Sequence, residues 1–177
     1  MNATPQQLVD DARFSHVLDC WRRWRGPHLL PARGNISPED MKILLPHVFM
    51  VEPVEDGRRF RYIMAGNAIR MYLGFELSGR FIDELFSGAT RLKMETTYRS
   101  VLGGSGHYLR QHWLRRQVPV IEFRRLVLPL AEDGRRIDGI FGYAMHTPLP
   151  GHEGSQIDQL RDPVELVTLE EMAIRLD

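Results

Sequence analysis

The sequence predicts a mixed α+β domain in which an antiparallel sheet of five strands carries short helices on one face, preceded by an amphipathic helix. Residues 47–65 and 107–146 alternate apolar with polar side chains, as half-buried strands do. The turns between these segments are too short for crossover connections, so neighbouring strands run antiparallel. Residues 67–104 show a broken helical pattern, which places a helical insert between the two groups of strands.

The first helix is predicted over residues 5–25, because Thr4-Pro5 is a typical helix start and Gly26-Pro27 ends the pattern. Its apolar stripe packs either on the sheet of its own domain or on a second copy of the chain, and the sequence leaves both open. The stripe is therefore a candidate dimer or partner interface. It consists of Phe14, Val17, Leu18, Trp21 and Trp24.

The next elements are a short helix over residues 41–45, with Ser37 as its cap, and two strands. The strands span residues 47–54 and 59–65 and are joined by a turn centred on Asp56-Gly57. Apolar side chains alternate along the second strand. We therefore expect Phe60, Tyr62 and Met64 to share its buried face.

The helical insert is predicted over residues 67–73, 81–86 and 89–102, and three long strands follow at about 107–116, 120–131 and 136–146. Val118-Pro119 and residues 132–135 supply the turns between them. The pattern places Ile121, Phe123, Arg125 and Val127 on one face, and Ile137, Gly139, Phe141, Tyr143 and Met145 on another.

The chain ends in a polar loop and a short helix, predicted because Thr168-Leu169-Glu170-Glu171 resembles a capping box that opens a helix through Leu176. The expected organisation is an N-terminal helix and cap segment at 1–46, a core at 47–147, and a C-terminal loop and helix at 148–177.

Composition argues against several classes of protein. The 23 basic residues balance 23 acidic ones, so no electrostatic footprint for nucleic acid is expected. The start of the chain lacks a secretory pattern and no window is apolar enough to span a membrane, so we expect a cytoplasmic protein. Cys20 is the single cysteine, which excludes an internal disulfide.

A set of short motifs resembles a family of small proteins, common in alphaproteobacteria, that consist of one PAS domain. The resemblance covers about residues 16–146 and implies the PAS fold and a stand-alone regulatory role, without naming a ligand. The motifs are Trp21, Pro31-Ala32-Arg33, Ile36-Ser37-Pro38, Leu45-Pro46, Phe60-Arg61-Tyr62, Gly66, Leu77-Ser78-Gly79-Arg80, Pro129-Leu130 and Asp138.

The space between the sheet and the helical insert is where a PAS domain holds its ligand, so polar and aromatic side chains near it are candidate binding residues. Where that family usually has glycine followed by threonine, this chain has Gly66-Asn67, and Asn67 is expected to cap the next helix. The candidates are Tyr62, Met64, Asn67, Arg70, Tyr72, Tyr98, Trp113 and Tyr143.

The cofactor is unknown from the sequence. Ala68 follows Gly66-Asn67 where a flavin photosensor needs a reactive cysteine, so a flavin–cysteinyl adduct is excluded there. Haem is not expected, because the long helix has no histidine and His107 and His112 fall on a strand. The seven histidines show no spacing typical of a metal site.

Three functions therefore remain open. The first is a sensory module that binds a small ligand and signals through a protein partner. The second is a ligand-free interaction module, with a homodimer expected. The third is a small isomerase-like enzyme, which would need a buried acid–base pair from Asp83, Glu84 or His146. No catalytic motif supports the third, so we expect a protein that is not an enzyme.

Overall fold

The computed structural model describes residues 11–157 and 164–176. The described chain contains five α-helices, six β-strands and two single turns of 3-10 helix. The helices are α1 (Ala12–Arg25), α2 (Pro38–Leu44), α3 (Asn67–Leu73), α4 (Ile82–Leu85) and α5 (Gly88–Leu102). The strands are β1 (Val48–Val54), β2 (Arg59–Ala65), β3 (Gly106–Arg115), β4 (Val118–Leu130), β5 (Gly139–Pro148) and β6 (Val164–Ile174).

The strands form one antiparallel sheet in the order β2-β1-β5-β4-β3-β6. Helices α3, α4 and α5 cover one side, here called the inner face, and α1 covers the other, the outer face. Each face buries its own apolar cluster, because side chains alternate between the two sides of every strand. The predicted α+β architecture is confirmed, with six strands instead of five.

Helix α1 packs on the outer face of its own sheet. The helix begins at Ala12, so its predicted passage through Asp11 is wrong, and the predicted start at Thr4-Pro5 lies outside the described residues. Asp11 caps the helix by accepting a hydrogen bond from the Arg13 backbone N–H at 3.1 Å. Trp21 is fully buried and its indole N–H donates to the Pro129 carbonyl at 2.9 Å. All five stripe residues are buried in the same way, so the structure shows the alternative in which the stripe covers its own domain. These side chains do not offer an exposed surface to a second copy.

Helix α2 is tied to α1 through its own cap region. Ser37 accepts from the Asp40 N–H at 3.3 Å, as predicted. The Asp40 carboxylate accepts from the Trp24 indole at 2.8 Å and from Arg23 at 3.1 Å. A charge-assisted contact therefore fixes the two helices to each other.

Residues with positive φ, and not prolines, mark the hairpin turns β1–β2 and β3–β4. Glu55 and Asp56 adopt positive φ of 53° and 56°, which confirms the β1–β2 turn. In the β3–β4 hairpin the positive φ values, 50° and 66°, belong to Arg116 and Gln117. The predicted turn at Val118-Pro119 is therefore wrong, since Pro119 lies within β4 opposite Leu114.

The C-terminal segment is a strand, and the predicted helix over residues 168–176 is wrong. Strand β6 pairs along the whole of β3, whose free edge offers a row of backbone donors and acceptors. Leu169 is an extra residue in the pairing, because Arg110 faces Glu170 and Gln111 faces Thr168. This bulge turns Leu166 to the inner cluster and Met172 to the outer one.

Candidate functional site

A small cavity of about 20 Å³ lies between the inner face of the sheet and helices α3, α4 and α5. This volume accommodates roughly one water molecule. The lining is aromatic and aliphatic except for a few polar side chains that point into the same space. It consists of Phe49, Tyr62, Ile69, Leu73, Leu77, Phe86, Met94, Tyr98, Trp113, Phe123, Arg125, Ala144 and His146.

Arg125 is the charged member of this lining. It follows Phe123 on β4 at the inward-facing parity, and only 1% of its surface is exposed. Its guanidinium donates to Gln111 Oε1 at 3.1 Å, to Met94 Sδ at 2.9 Å and to Thr97 Oγ1 at 3.4 Å. It also lies 5.5 Å from the centroid of the Phe123 ring. The Tyr98 hydroxyl also forms a hydrogen bond with Arg125, so only neutral acceptors serve this group with five N–H donors.

No carboxylate among the described residues forms an ion pair with Arg125. The buried acid of α5, Glu95, is bound by Arg91 at 2.7 Å and Arg99 at 2.9 Å. An arginine does not lose its proton in a protein, so its charge persists in the core. A buried charge without a partner costs several kcal/mol.

His146 is the second polar group of the cavity wall. Its ring is stacked on Phe123 at 4.5 Å and on Tyr72 at 5.3 Å between centroids. Neither ring nitrogen has a hydrogen-bond partner in the described part of the chain. Burial, with a smaller contribution from the nearby His47, lowers the pKa of His146 to about 3. The ring is therefore neutral at physiological pH and offers one donor and one acceptor.

The remaining polar atoms come from three aromatic side chains. The hydroxyls of Tyr62 and Tyr98 share a hydrogen bond of 3.2 Å. Burial raises the pKa of both, and Arg125 opposes the rise, so both stay protonated at neutral pH. The indole nitrogen of Trp113 is buried with no acceptor among the described residues. The wall of the cavity is thus rich in hydrogen-bond donors.

Of the eight predicted binding residues, Tyr62, Tyr98 and Trp113 line the cavity. Tyr72 is half-buried and stacks on His146 from α3. The other four lie elsewhere.

Two of those four, Met64 and Tyr143, pack with the outer cluster. A bulge at Ile63 shifts the parity of β2, because Met50 faces Met64 whereas Val51 faces Tyr62. Tyr143 packs edge-on against Phe14 of α1 at 5.5 Å. Their placement in the pocket is therefore wrong.

The other two, Asn67 and Arg70, are exposed on the outside of α3. Arg70 pairs with Glu76 at 3.2 Å. The residue at the helix cap is Gly66, and no side chain forms a capping hydrogen bond, so the expected cap by Asn67 is also wrong. A β-carbon on Gly66 would lie 2.1 Å from the Leu45 carbonyl oxygen, which explains the glycine at this close approach.

Arg125 was not among the predicted binding residues, and His146 was considered only as an enzymatic acid or base. The sequence did contain a signal for Arg125. It occupies an inward position between Phe123 and Val127, where an arginine needs a buried partner. His146 carries a weaker signal, since it falls at the end of the β5 alternation.

The acid–base pair required by the enzyme hypothesis does not form from the predicted residues. Asp83 is bound by Arg59, with both contacts at 2.9 Å, and Glu84 is exposed and paired with Arg80 at 3.2 Å. Neither lines the cavity that contains His146.

The two histidines considered for haem lie on opposite faces of the sheet. His107 bonds to Ser100 of α5 at 2.8 Å and contacts Glu171 at 3.1 Å. His112 lies 3.9 Å from Glu122. Within residues 11–157 and 164–176, no cluster of His, Cys, Asp or Glu is suited to a metal ion. No helix in this part is long and apolar enough to span a membrane.

An antiparallel sheet with short helices over a small cavity is the architecture of PAS-type domains. The chain belongs to the PAS-domain family, whose model matches residues 10–145. PAS domains in general are sensory and signalling modules. Comparison with curated proteins and with solved structures finds no match.

Proposed function

We propose that this PAS domain is a cytoplasmic sensory module that binds a small molecule in the cavity beneath α3 and transmits the binding event to a protein partner. The proposal is carried by one observation. The Trp113 indole and the His146 ring bring buried polar atoms without a partner among the described residues to the space that also holds the buried charge of Arg125. Buried polar groups are normally paired, and a bound molecule supplies the missing partners.

The wall of the cavity that includes α3 is the natural place for ligand entry. The helix has seven residues, and its end is held by the Ile157 N–H, which donates to the Tyr72 carbonyl at 2.6 Å. Tyr72 in turn stacks on His146. A ligand larger than one water displaces this wall, so occupancy is coupled to the position of α3. That displacement is the signal we propose.

Native mass spectrometry of the purified protein tests the proposal. We expect a small non-covalent adduct, together with a higher melting temperature when the adduct is present. Ala144→Leu fills the cavity from β5 and should abolish the adduct. Ala173→Leu makes the same change at an exposed position of β6 and should retain it.

An unliganded wild-type protein whose melting temperature no compound in a metabolite library raises would contradict ligand binding. Retention of the adduct by a folded Ala144→Leu variant would place the ligand outside this cavity.

A second copy of the chain or a protein partner is a further candidate, favoured by exposed apolar side chains ahead of β1. Ile43 is 76% exposed and Leu45 is 46% exposed, whereas Leu44 between them is buried. Light scattering across a concentration series tests self-association. A homodimer that Ile43→Asp dissociates would support this surface, and a monomer throughout would contradict the homodimer.

A further inference from the structure

We infer that the ligand of the inner cavity is a small carboxylate monoanion, with Arg125 as its counter-charge. This inference rests on the proposed function, because it names the chemical class of the molecule that the cavity binds.

The cavity wall carries one buried positive charge. Arg125 brings one positive guanidinium charge into the core, where it is 1% exposed. Its hydrogen-bond partners among the described residues are all neutral: Gln111, Thr97, Met94 and the Tyr98 hydroxyl. Tyr62 and Tyr98 keep their protons, so neither supplies a phenolate. A monoanion is the ligand charge that completes this site.

Hydrogen-bond donors outnumber acceptors in the cavity wall. Arg125 has five N–H donors, more than its hydrogen bonds to Gln111, Met94, Thr97 and the Tyr98 hydroxyl occupy. The Trp113 indole N–H and one nitrogen of His146 add two further donors. A carboxylate accepts through two oxygens and matches the planar fork of a guanidinium, which gives a charge-assisted pair.

The cavity is small and its lining is mostly apolar. The cavity has room for about one water before α3 moves, so the acid has few atoms. Phe49, Leu73 and Phe86 provide an apolar wall for a short hydrocarbon body. A phosphate or a dicarboxylate brings a second negative charge, for which the described lining offers no second cation.

Isothermal titration and melting curves of the wild-type protein compare formate, acetate and propionate with formamide, acetamide and propionamide at constant ionic strength. We expect each acid to bind at least about tenfold more tightly than the amide of the same skeleton, since only the acid neutralises Arg125. Any co-purified adduct is first removed by unfolding and refolding, so that these probes meet an empty cavity.

Arg125→Met keeps the length of the side chain and removes the charge. We expect it to lose the preference for acids over amides and to fold with unchanged or greater stability, as replacements of buried charges by apolar groups often do. Arg125→Lys keeps the charge and should retain a weaker preference. Arg124→Met is the matched control. Arg124 is next to Arg125 on β4, but it faces outward and pairs with Asp11 at 2.6 Å.

The outcomes separate the two proposals. Equal binding of acids and amides would overturn the carboxylate inference while leaving a ligand-binding cavity. Preference for acids that persists in Arg125→Met would remove Arg125 as the counter-charge. Absence of any adduct and of any binding would overturn the proposed function itself. The comparison of acids with amides on wild-type protein decides the question even where a variant fails to fold.

Discussion

Gly142 on β5 shows how one missing β-carbon shapes the candidate site. Phe49 on β1 pairs with Gly142, and the Phe49 ring lies over the glycine. A β-carbon on Gly142 would lie 2.1 Å from the Phe49 Cζ atom. That ring is also part of the cavity wall. The glycine is thus required by packing, since a larger residue would push the ring out of position.

Gly142→Ala should lower the free energy of unfolding by about 2–3 kcal/mol, because the buried Phe49 ring must move. Urea unfolding measures it. Gly34→Ala is the control, since a β-carbon at Gly34 meets nothing within 4 Å, and it should cost less than about 0.5 kcal/mol. Equal costs for the two variants would contradict the close packing of Phe49 on Gly142.

His146 links protonation to folding. Its pKa is lowered to about 3 in the folded state, against about 6.5 in an unfolded chain. Above pH 6.5 both states hold the neutral ring, and the contribution of His146 to stability is fully present. As the pH falls from 6.5 toward 3, the unfolded state binds a proton that the folded state does not, so stability is lost.

Between pH 8 and pH 5, wild-type protein should therefore lose about 2 kcal/mol of unfolding free energy through this residue alone. His146→Phe keeps an aromatic ring between Tyr72 and Phe123 and should remove that part of the loss. Denaturant melts at several pH values measure it. His28→Gln, at an exposed histidine, serves as the control. Parallel curves for wild type and His146→Phe would contradict the buried, neutral ring.

At the scale of elements, β6 is where local sequence preference and tertiary pairing disagree. Thr168-Leu169-Glu170-Glu171 has the composition of a helix start, yet the segment extends along β3. The unpaired edge of β3 offers hydrogen bonds over ten residues, and burial of Leu166, Met172 and Ile174 adds an apolar contribution. Together these outweigh a weak local preference for helix.

Leu166→Ala should therefore lower the unfolding free energy by about 3 kcal/mol, since the side chain is fully buried against the inner cluster. Leu169→Ala should cost less than about 1 kcal/mol, because this bulge residue is 44% exposed. Thermal or urea unfolding compares the two. A larger loss for Leu169 than for Leu166 would contradict the strand and its register.

A bulge also explains why strict alternation predicted the wrong face of the sheet for Met64. Strict alternation places Met64 with Tyr62, but the extra residue Ile63 moves it to the outer face. Between residues 121 and 127 the β4 ladder has no bulge, and strict alternation correctly predicted that Phe123 and Arg125 share a face. A bulge depends on pairing with a neighbouring strand, so one strand read alone gives no sign of it.

For the whole molecule, the central feature is one sheet shared by two apolar clusters. Strands β1, β4 and β5 each contribute side chains to both clusters. Loss of these strands would therefore disrupt both clusters at once. Helix α1 is part of this unit, because its five apolar side chains close the outer cluster. We therefore expect the domain to unfold in one step.

Tryptophans on the two faces allow this to be measured. In Trp113→Phe, fluorescence reports Trp21 and Trp24 of the outer cluster, whereas in Trp21→Phe/Trp24→Phe it reports Trp113 of the inner one. In each variant the fluorescence and far-UV circular dichroism transitions in urea should have the same midpoint. A separate early transition of the outer cluster would show that α1 detaches on its own.

The sequence by itself determined the α+β class, the apolar stripe of α1, the helical insert and most strand positions, because these depend on periodicity and on local caps and turns. Only the tertiary structure decided which surface the stripe covers, that the C-terminal segment is a strand, and that Arg125 and His146 share a cavity with Tyr62, Tyr98 and Trp113. These outcomes depend on the free edge of β3 and on contacts between distant segments. Such interactions exist only once the chain has folded.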